Sequence, residues 1–415
     1  MTDRLEREQT GAEVAHWRLA VEALADLDTV AAPEAWRALE EYLQREVRAR
    51  LAALVAGLAA EARALQQAFG SGRDLGEVRA GLLRLRTRYL RAETILDFYG
   101  DAVNSRTNPR LRALLRGFDT LAGDSLAAVL TRVGGEVPLA LVYLDTGLGA
   151  AILRAGVRLW DREHPSPAAA IKLTRHNLSC PTSLLHETGH QVGHLTGWNT
   201  ELGAALAERL NRRSAPLAAA WQGWAGEVAA DVHAFAQAGW APVAALANVV
   251  DGPTATVYRM RPGDPHPYPM IRVLFNVALC RGWFGAGPWD GVAAAWLRRH
   301  PPDAGDTLTR DSIAALDDIV DVCTRTPMAA LRGAALGDVL DPRRVSPEAL
   351  GALARQAGPS LLTSDYLRRR EPLRILAHLV SRAVAEPRRA REHHDRLLTW
   401  IAALGANPAV LEPAA

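Results

Sequence analysis

The chain has 415 residues, of which 49% are hydrophobic and 23% charged, and its 48 basic residues nearly balance its 46 acidic ones. Such a chain can bury a sizeable core without disulfides, and its length predicts two or three domains. Its three cysteines lie far apart with no CxxC pair, which argues against a disulfide framework and a cysteine-ligated zinc. Basic and acidic residues alternate along the chain, so we expect no nucleic-acid partner.

The N-terminal sequence MTDRLEREQTGAEVAHW is charged and lacks the apolar run that is typical of a secretory leader. The most apolar stretch, 137–160, is interrupted by Asp145 and Arg154. It falls short of the roughly 20 uninterrupted apolar residues that a membrane-spanning helix needs. We therefore expect a cytoplasmic protein without a membrane span.

Residues 1–132 predict a helical hairpin or bundle. Segment 33–69 has apolar residues three and four apart and begins at Pro33, which suits a first helical turn. A second amphipathic segment follows at 75–103, after the break GSGRD. Two long helices joined by a short Gly-rich turn predict an antiparallel pair. We expect any protein partner to bind through this helical region.

The pattern changes after RVGGEVP. Segments 139–145 and 168–176 have the length and apolar content of strands, and Gly, Pro and Ser residues bound them. Helices are predicted at 181–195, 201–211, 217–238 and 270–283. The fold class is therefore mainly α (α+β) with a small β-sheet, divided into three domains: 1–132, 135–300 and 301–415. The last of these returns to a helical pattern.

The sequence SLLHETGHQVGHLTG contains an H-E-x-x-H motif, formed by His186, Glu187 and His190. On a helix, two histidines four residues apart share one face and can bind one metal ion. The glutamate then lies beside the open coordination position and can take a proton from water that the metal activates. Ser179 and Pro181 predict the N-cap and first turn. The alternative, a partly exposed helix that carries histidines without a metal, remains open.

A third ligand must come from elsewhere in the chain. His194 lies one turn further on, but a straight helix does not wrap three turns around one tetrahedral ion, and Thr196 occupies the position where metzincins have histidine. In WAGEVAADVHAF, Glu227 can complete a His₂Glu site, and Asp231 on the same face can accept a hydrogen bond from a ligand histidine. Acids among small apolar residues need such partners. A surface helix is the alternative, and His233 is expected to be structural.

The sequence RPGDPHPYPMIRV follows as a third cluster. A hydrolase that forms an anionic tetrahedral intermediate needs a cation or hydrogen-bond donor opposite the metal. His266, Arg272 and Tyr268 are residues of suitable types. The alternative is a rigid turn shaped by Asp264 and Pro265.

These motifs resemble those of a gluzincin-type zincin metallopeptidase. HETGH resembles the HELGH helix of the HtpX-type and CAAX-prenyl-protease group, EVAAD matches that group's E-x-x-A-D, and the downstream His-Pro and Arg resemble its H-P…R element. The similarity covers about 170–285. It implies a zincin-like catalytic core in which Zn²⁺ is bound by His186, His190 and Glu227, with Glu187 as general base. Asp231 would orient a ligand, and His266 and Arg272 would lie at the oxyanion or substrate side.

The expected function is therefore zinc-dependent endopeptidase activity on a protein or peptide substrate. An extended substrate would pair with strand 168–176 as an edge strand near the metal. Lys172 on that strand would hold a substrate carboxylate or face solvent. Two alternatives remain: a helical interaction or regulatory protein with a structural or inactive metal site, and a zinc hydrolase that acts on a non-peptide amide.

Overall fold

The computed structural model describes residues 2–39, 41–147, 149–153, 168–261, 263–303 and 305–406. Over these residues the protein is mainly α-helical with a small three-stranded sheet, which confirms the predicted fold class. They fall within two compact units, Met1–Arg112 with Leu153–Ala170, and Ala113–Ile152 with Ile171–Ala415. The division into three domains stays a prediction. No helix in the described ranges combines the length and the apolar character needed to cross a membrane.

The first unit is built from long helices. They are α1 (Thr2–Ala23), α2 (Pro33–Ala38), α3 (Glu41–Gly70) and α4 (Leu75–Asn104), and α1 packs against both α3 and α4. The predicted antiparallel pair of α3 and α4 is confirmed, and Asp74 caps α4 by accepting a hydrogen bond from Glu77 N. Gly72 takes a positive φ of 79° in the turn between them, which glycine adopts without a steric penalty.

The prediction of one continuous helix from Pro33 is wrong. The chain forms the short helix α2 and then leaves the helical conformation at Leu39, whose φ and ψ are −70° and 151°. Trp36 is fully buried, and its Nε1 donates a hydrogen bond to Leu27 O over 3.1 Å. Burial of both Trp36 and Leu39 is a tertiary interaction, and it outweighs the local preference for helix.

The second unit contains the remaining helices. Helix α5 (Pro109–Leu130) begins just before it. The others are α6 (Thr182–Thr196), α7 (Trp198–Asn211), α8 (Ala215–Gly223), α9 (Ala225–Ala238), α10 (Ala241–Val250), α11 (Thr254–Val257), α12 (Pro269–Phe284), α13 (Pro288–Arg299), α14 (Thr307–Ala314), α15 (Leu316–Arg325), α16 (Leu336–Leu340), α17 (Pro347–Ala357), α18 (Asp365–Arg370), α19 (Pro372–Ala385) and α20 (Ala390–Gly405). Short 3₁₀ helices lie at Ser105–Thr107, Arg175–Ser179, Ala329–Leu331, Pro342–Val345, Gly358–Leu361 and Pro387–Arg389.

The small sheet has the strand order β1-β3-β2, with β1 at Ala140–Asp145, β2 at Ala151–Leu153 and β3 at Ala169–Thr174. Strands β1 and β3 confirm the two predicted strands, whereas β2 was not predicted. Because β3 is central, both of its edges already bond to neighbouring strands. The prediction that a substrate pairs with this strand as an edge strand is therefore wrong.

Helix α9 lies at the centre of the second unit and is buried on nearly every side. The sequence predicted one helix over 217–238, but α8 and α9 are separate helices that meet at Trp224. Gly223 and Gly226 flank this residue and weaken helix propensity there. The buried Trp224 ring makes edge contacts with Trp221 and Tyr268, which hold the junction in place.

Candidate metal centre

The histidine motif lies on α6, as predicted. The helix ends at Thr196, and Gly197 follows in the left-handed conformation with a φ of 76°. Its start differs from the prediction, because Pro181 occupies the N-cap position and no side chain caps the helix. Ser179 Oγ instead donates a hydrogen bond to His176 O over 3.1 Å, so the predicted Ser179 cap is wrong.

Two helices bring three metal-ligating side chains together. His186 and His190 project from α6, and Glu227 projects from the first turn of α9. His186 Nε2 lies 3.3 Å from Glu227 Oε2, and His190 Nε2 lies 3.2 Å from Glu227 Oε1. One ligand atom from each residue lies within 4.8 Å of the others. Helices α6 and α9 make the most extensive helix–helix contact of the described chain, which fixes this arrangement.

The spacing of these atoms fits a tetrahedral metal ion. Charge-assisted N–H···O⁻ hydrogen bonds are typically about 2.7–2.9 Å long, which is shorter than either histidine–carboxylate distance. A tetrahedron with metal–ligand bonds of about 2.05 Å has edges of about 3.3 Å. In addition, Glu227 Oε2 is buried and accepts no hydrogen bond in the described residues. The donor set of two imidazoles and one carboxylate is that of several catalytic zinc sites.

Asp231 orients the first histidine. Its Oδ1 lies 2.8 Å from His186 Nδ1, so Nδ1 carries the proton and Nε2 remains directed at Glu227. Asn276 Nδ2 donates a hydrogen bond to Asp231 Oδ2 over 3.1 Å. A carboxylate bound to the outer nitrogen of a ligand histidine fixes its tautomer and increases its basicity. The sequence pointed to Asp231 but not to Asn276, which lies on α12.

Arg272 lies on the buried side of the cluster, with only 8% of its surface exposed. Its Nε and one terminal nitrogen donate to the two oxygens of Asp231, each over 2.8 Å. The same terminal nitrogen lies 3.2 Å from Glu227 Oε2. The guanidinium of Arg272 therefore contacts the two carboxylates of α9, Asp231 and Glu227, and holds them in position.

The charges of the cluster shift several pKa values. Burial disfavours the charged form of Glu227, but the neighbouring imidazoles of His186 and His190 outweigh burial and hold its pKa well below the usual range. Burial likewise opposes ionisation of Asp231, and the Arg272 charge lowers its pKa strongly.

The pKa values of His186 and Glu187 are raised. Burial lowers the pKa of His186, yet the hydrogen bond with Asp231 and the nearby Glu227 carboxylate dominate and raise it to about 10. Glu187 is 6% exposed, and burial raises its pKa even though the neighbouring histidines act in the opposite direction. A carboxyl group with a raised pKa is suited to accept and return a proton near neutral pH.

His266 lies on the exposed side of the cluster and is 51% exposed as a side chain. Its Nε2 is 3.4 Å from Glu227 Oε1, and its Nδ1 is 2.7 Å from Asp264 Oδ1. Asp264 also accepts a hydrogen bond from the backbone N–H of His266. Sequence reasoning assigned Asp264 to a turn and missed its contact with the imidazole, although an acid two residues before a candidate histidine was the available signal.

Three other candidate residues lie elsewhere. Tyr268 is buried, and its hydroxyl is 2.6 Å from Thr309 Oγ1. His194 is exposed on the last turn of α6 and does not belong to the group of ligand atoms found in the described chain. Lys172 Nζ donates to Thr146 O over 3.4 Å, and its described contacts include none of the three ligand side chains.

His233 is fully buried in a polar network beneath α6. Its Nε2 lies 3.1 Å from Ser125 Oγ and 2.8 Å from Gln237 Nε2. Thr188 Oγ1 lies 2.7 Å from the same serine hydroxyl and so links α6 to the network. Burial lowers the pKa of His233 to about 3, so the ring is neutral at physiological pH.

Gly189 allows the close approach of the two ligand-bearing helices. A Cβ atom at this position would lie 2.8 Å from Ala230 Cα and 3.1 Å from Ala230 O. Such contacts involve backbone, which cannot rotate away as a flexible side chain can. Sequence analysis missed this role, although a glycine between two metal ligands and an alanine in EVAAD were visible signals.

No family model, no curated protein and no solved structure matches this chain. The resemblance to gluzincins therefore depends on the three short motifs.

Proposed function

We propose that this chain is a zinc-dependent peptide hydrolase, specifically an endopeptidase. The observation that carries the proposal is the convergence of His186, His190 and Glu227 at tetrahedral spacing, with Glu187 adjacent. The described ligand group has three members, as in catalytic zinc sites, which keep one coordination position open. A bound zinc ion would supply Lewis acidity, polarising a substrate carbonyl and making water more acidic.

Glu187 would move the proton. Burial raises the pKa of Glu187 and so makes its carboxylate a stronger base. It can therefore accept a proton from the attacking water and return it to the leaving amine. His266 would stabilise the oxyanion, because the contact between its Nδ1 and Asp264 orients the ring and directs Nε2 towards the site. Asp231 and Arg272 would hold His186 and Glu227 in position.

The decisive variant is Glu187→Gln, which keeps the shape of the side chain and removes the base. We expect zinc stoichiometry, measured by elemental analysis, to remain unchanged. Cleavage of a peptide library should fall by about 10²–10⁴-fold, the usual contribution of a general base. Glu208→Gln, at an exposed glutamate on α7, is the matched control and should leave both readings unchanged. Equal turnover by wild type and Glu187→Gln would refute the assignment.

The distance between His266 and Glu227 favours a second possible function, in which the metal is structural. His266 Nε2 lies 3.4 Å from Glu227 Oε1, which is also close to a tetrahedral edge. If His266 moved into the coordination shell, four protein ligands would close the site, as in structural zinc sites. The chain would then act as a helical interaction or regulatory protein whose metal has a structural role.

The variant His266→Ala separates these two functions. A peptidase should keep its zinc affinity and lose hydrolysis, because His266 contacts the reacting group and leaves the metal to the other ligands. A structural site should lose zinc affinity, because one of four ligands is removed. Glu227→Ala should lower zinc content in either case and shows that the metal assay responds to loss of a ligand.

A further inference from the structure

A polar cavity lies in the second unit, at the opposite end of α9 from the candidate metal ligands. Its volume is about 220 Å³. Asp124, Ala128 and Arg132 line it at four-residue intervals along α5 and its continuation, so they share one face. Gln237 from α9 lines it too. Gln237 lies ten residues beyond Glu227, which corresponds to about 15 Å along a helix.

The lining of this cavity is strongly basic. It includes five arginines and two carboxylates, an excess of three positive charges. Glu371 already pairs with two of the arginines, at 3.1 Å from Arg344 and 3.3 Å from Arg374. The other three make no ion pair with any residue that the structure describes; they are Arg132, Arg369 and Arg370. We name this site the arginine-lined cavity.

The same cavity is also lined by two other polar side chains, Gln237 and Asp124. Gln237 is 4% exposed, and its Oε1 is buried without a hydrogen-bond partner in the described chain. Its Nε2 is held by Ser125 O and His233, so the amide is fixed in orientation. Burial raises the pKa of Asp124 to about 7. A bound ammonium group would favour the charged form of the Asp124 carboxylate.

We propose that the arginine-lined cavity binds an acidic α-amino acid. Its two carboxylates would pair with Arg132, Arg369 and Arg370, because guanidinium groups match carboxylates in charge and geometry. Its ammonium group would donate to Asp124. A ligand with one negative net charge and one ammonium group complements three unpaired arginines and one carboxylate. The volume suits a molecule of this size and is below that of pockets for larger ligands.

The test is calorimetric titration of the full-length chain with L-glutamate. Saturable one-to-one binding is expected, both in zinc-loaded protein and after chelation, because the cavity shares no residue with the metal ligands. This makes the result independent of the proposed hydrolysis. Glutarate has the same two carboxylates without the amine and should bind about tenfold more weakly. Absence of glutamate binding at millimolar concentrations would overturn the proposal.

Variants locate the binding. Arg370→Gln and Arg132→Gln should each weaken glutamate binding about tenfold, because each removes a charge-assisted hydrogen bond. Arg388→Gln, at an exposed arginine outside the cavity, is the matched control and should bind as wild type does. Asp124→Asn should weaken glutamate binding to the level of glutarate and leave glutarate binding unchanged. Equal losses in the control, or unchanged binding in both cavity arginine variants, would contradict this site.

Discussion

Replacing Gly189 with alanine tests how closely α6 and α9 pack at the candidate metal centre. The added methyl group would lie 2.8 Å from Ala230 Cα, 3.0 Å from His233 Cβ and 3.1 Å from Ala230 O. Ordinary van der Waals contacts begin near 3.4 Å. The helices must therefore separate, and this movement shifts His190, the next residue on α6.

The expected magnitude follows from two opposing effects. Overpacking of a dense core costs about 1–3 kcal/mol. Alanine recovers about 0.5–1 kcal/mol relative to glycine within a helix. The net loss at Gly189 should therefore be about 1–2 kcal/mol. Gly193→Ala on the same helix is the control, because its nearest neighbour would be Asn199 Cβ at 3.5 Å. That variant should gain about 0.5–1 kcal/mol, so the two should differ by the overpacking cost of about 1–3 kcal/mol.

Hydrogen exchange on peptides from α6 and α9 is the suitable assay. The chain contains two compact units, so a single global unfolding curve does not report on one helix pair. Protection in these peptides should fall for Gly189→Ala and rise for Gly193→Ala, while peptides from α3 stay unchanged. Zinc affinity should fall for Gly189→Ala alone. Equal protection and equal zinc affinity in the two variants would refute the close packing of α6 against α9.

Two further predictions concern other carboxylates. Asp231→Asn should weaken zinc binding about 10–100-fold, as expected on loss of a carboxylate that orients a ligand histidine, and a chelator competition assay measures this. For Asp124, burial raises the folded-state pKa from 3.8 to about 7, so stability is lost as pH rises between these values. Asp124→Asn should exceed wild type in stability by about 1–4 kcal/mol at pH 8, and hydrogen exchange on peptides from α5 should show the difference vanishing near pH 4.

Local patterns predicted the features that depend on local physics. The α3–α4 pair follows from the three-to-four spacing of apolar residues and a Gly-rich turn. The shared face of His186 and His190 follows from helical geometry alone. The same reasoning failed at Leu39 and Trp224, where burial of large side chains interrupts a helix. Propensities contain no information on these distant contacts.

Strand β2 shows a second reason for failure. It has three residues, which is too short for a periodic pattern, and its strand conformation depends on pairing with β3. Without β2, β3 would have been an edge strand, as the sequence suggested. The placement of Arg272 also depends on tertiary packing. Its positive charge predicted an anionic partner, but whether that partner is Asp231 or a substrate depends on how α12 packs.

The charge balance of the cluster links these observations. Glu187, Glu227 and Asp231 contribute three buried carboxylates, and Arg272 contributes one positive charge. With neutral histidines the cluster has two uncompensated negative charges, which burial makes costly. A divalent cation would supply the missing charge. In its absence protons must supply it, which is why the pKa of His186 rises to about 10 despite burial. Protons and a bound metal ion would therefore compete for the same nitrogen, and we expect metal affinity to fall as pH falls.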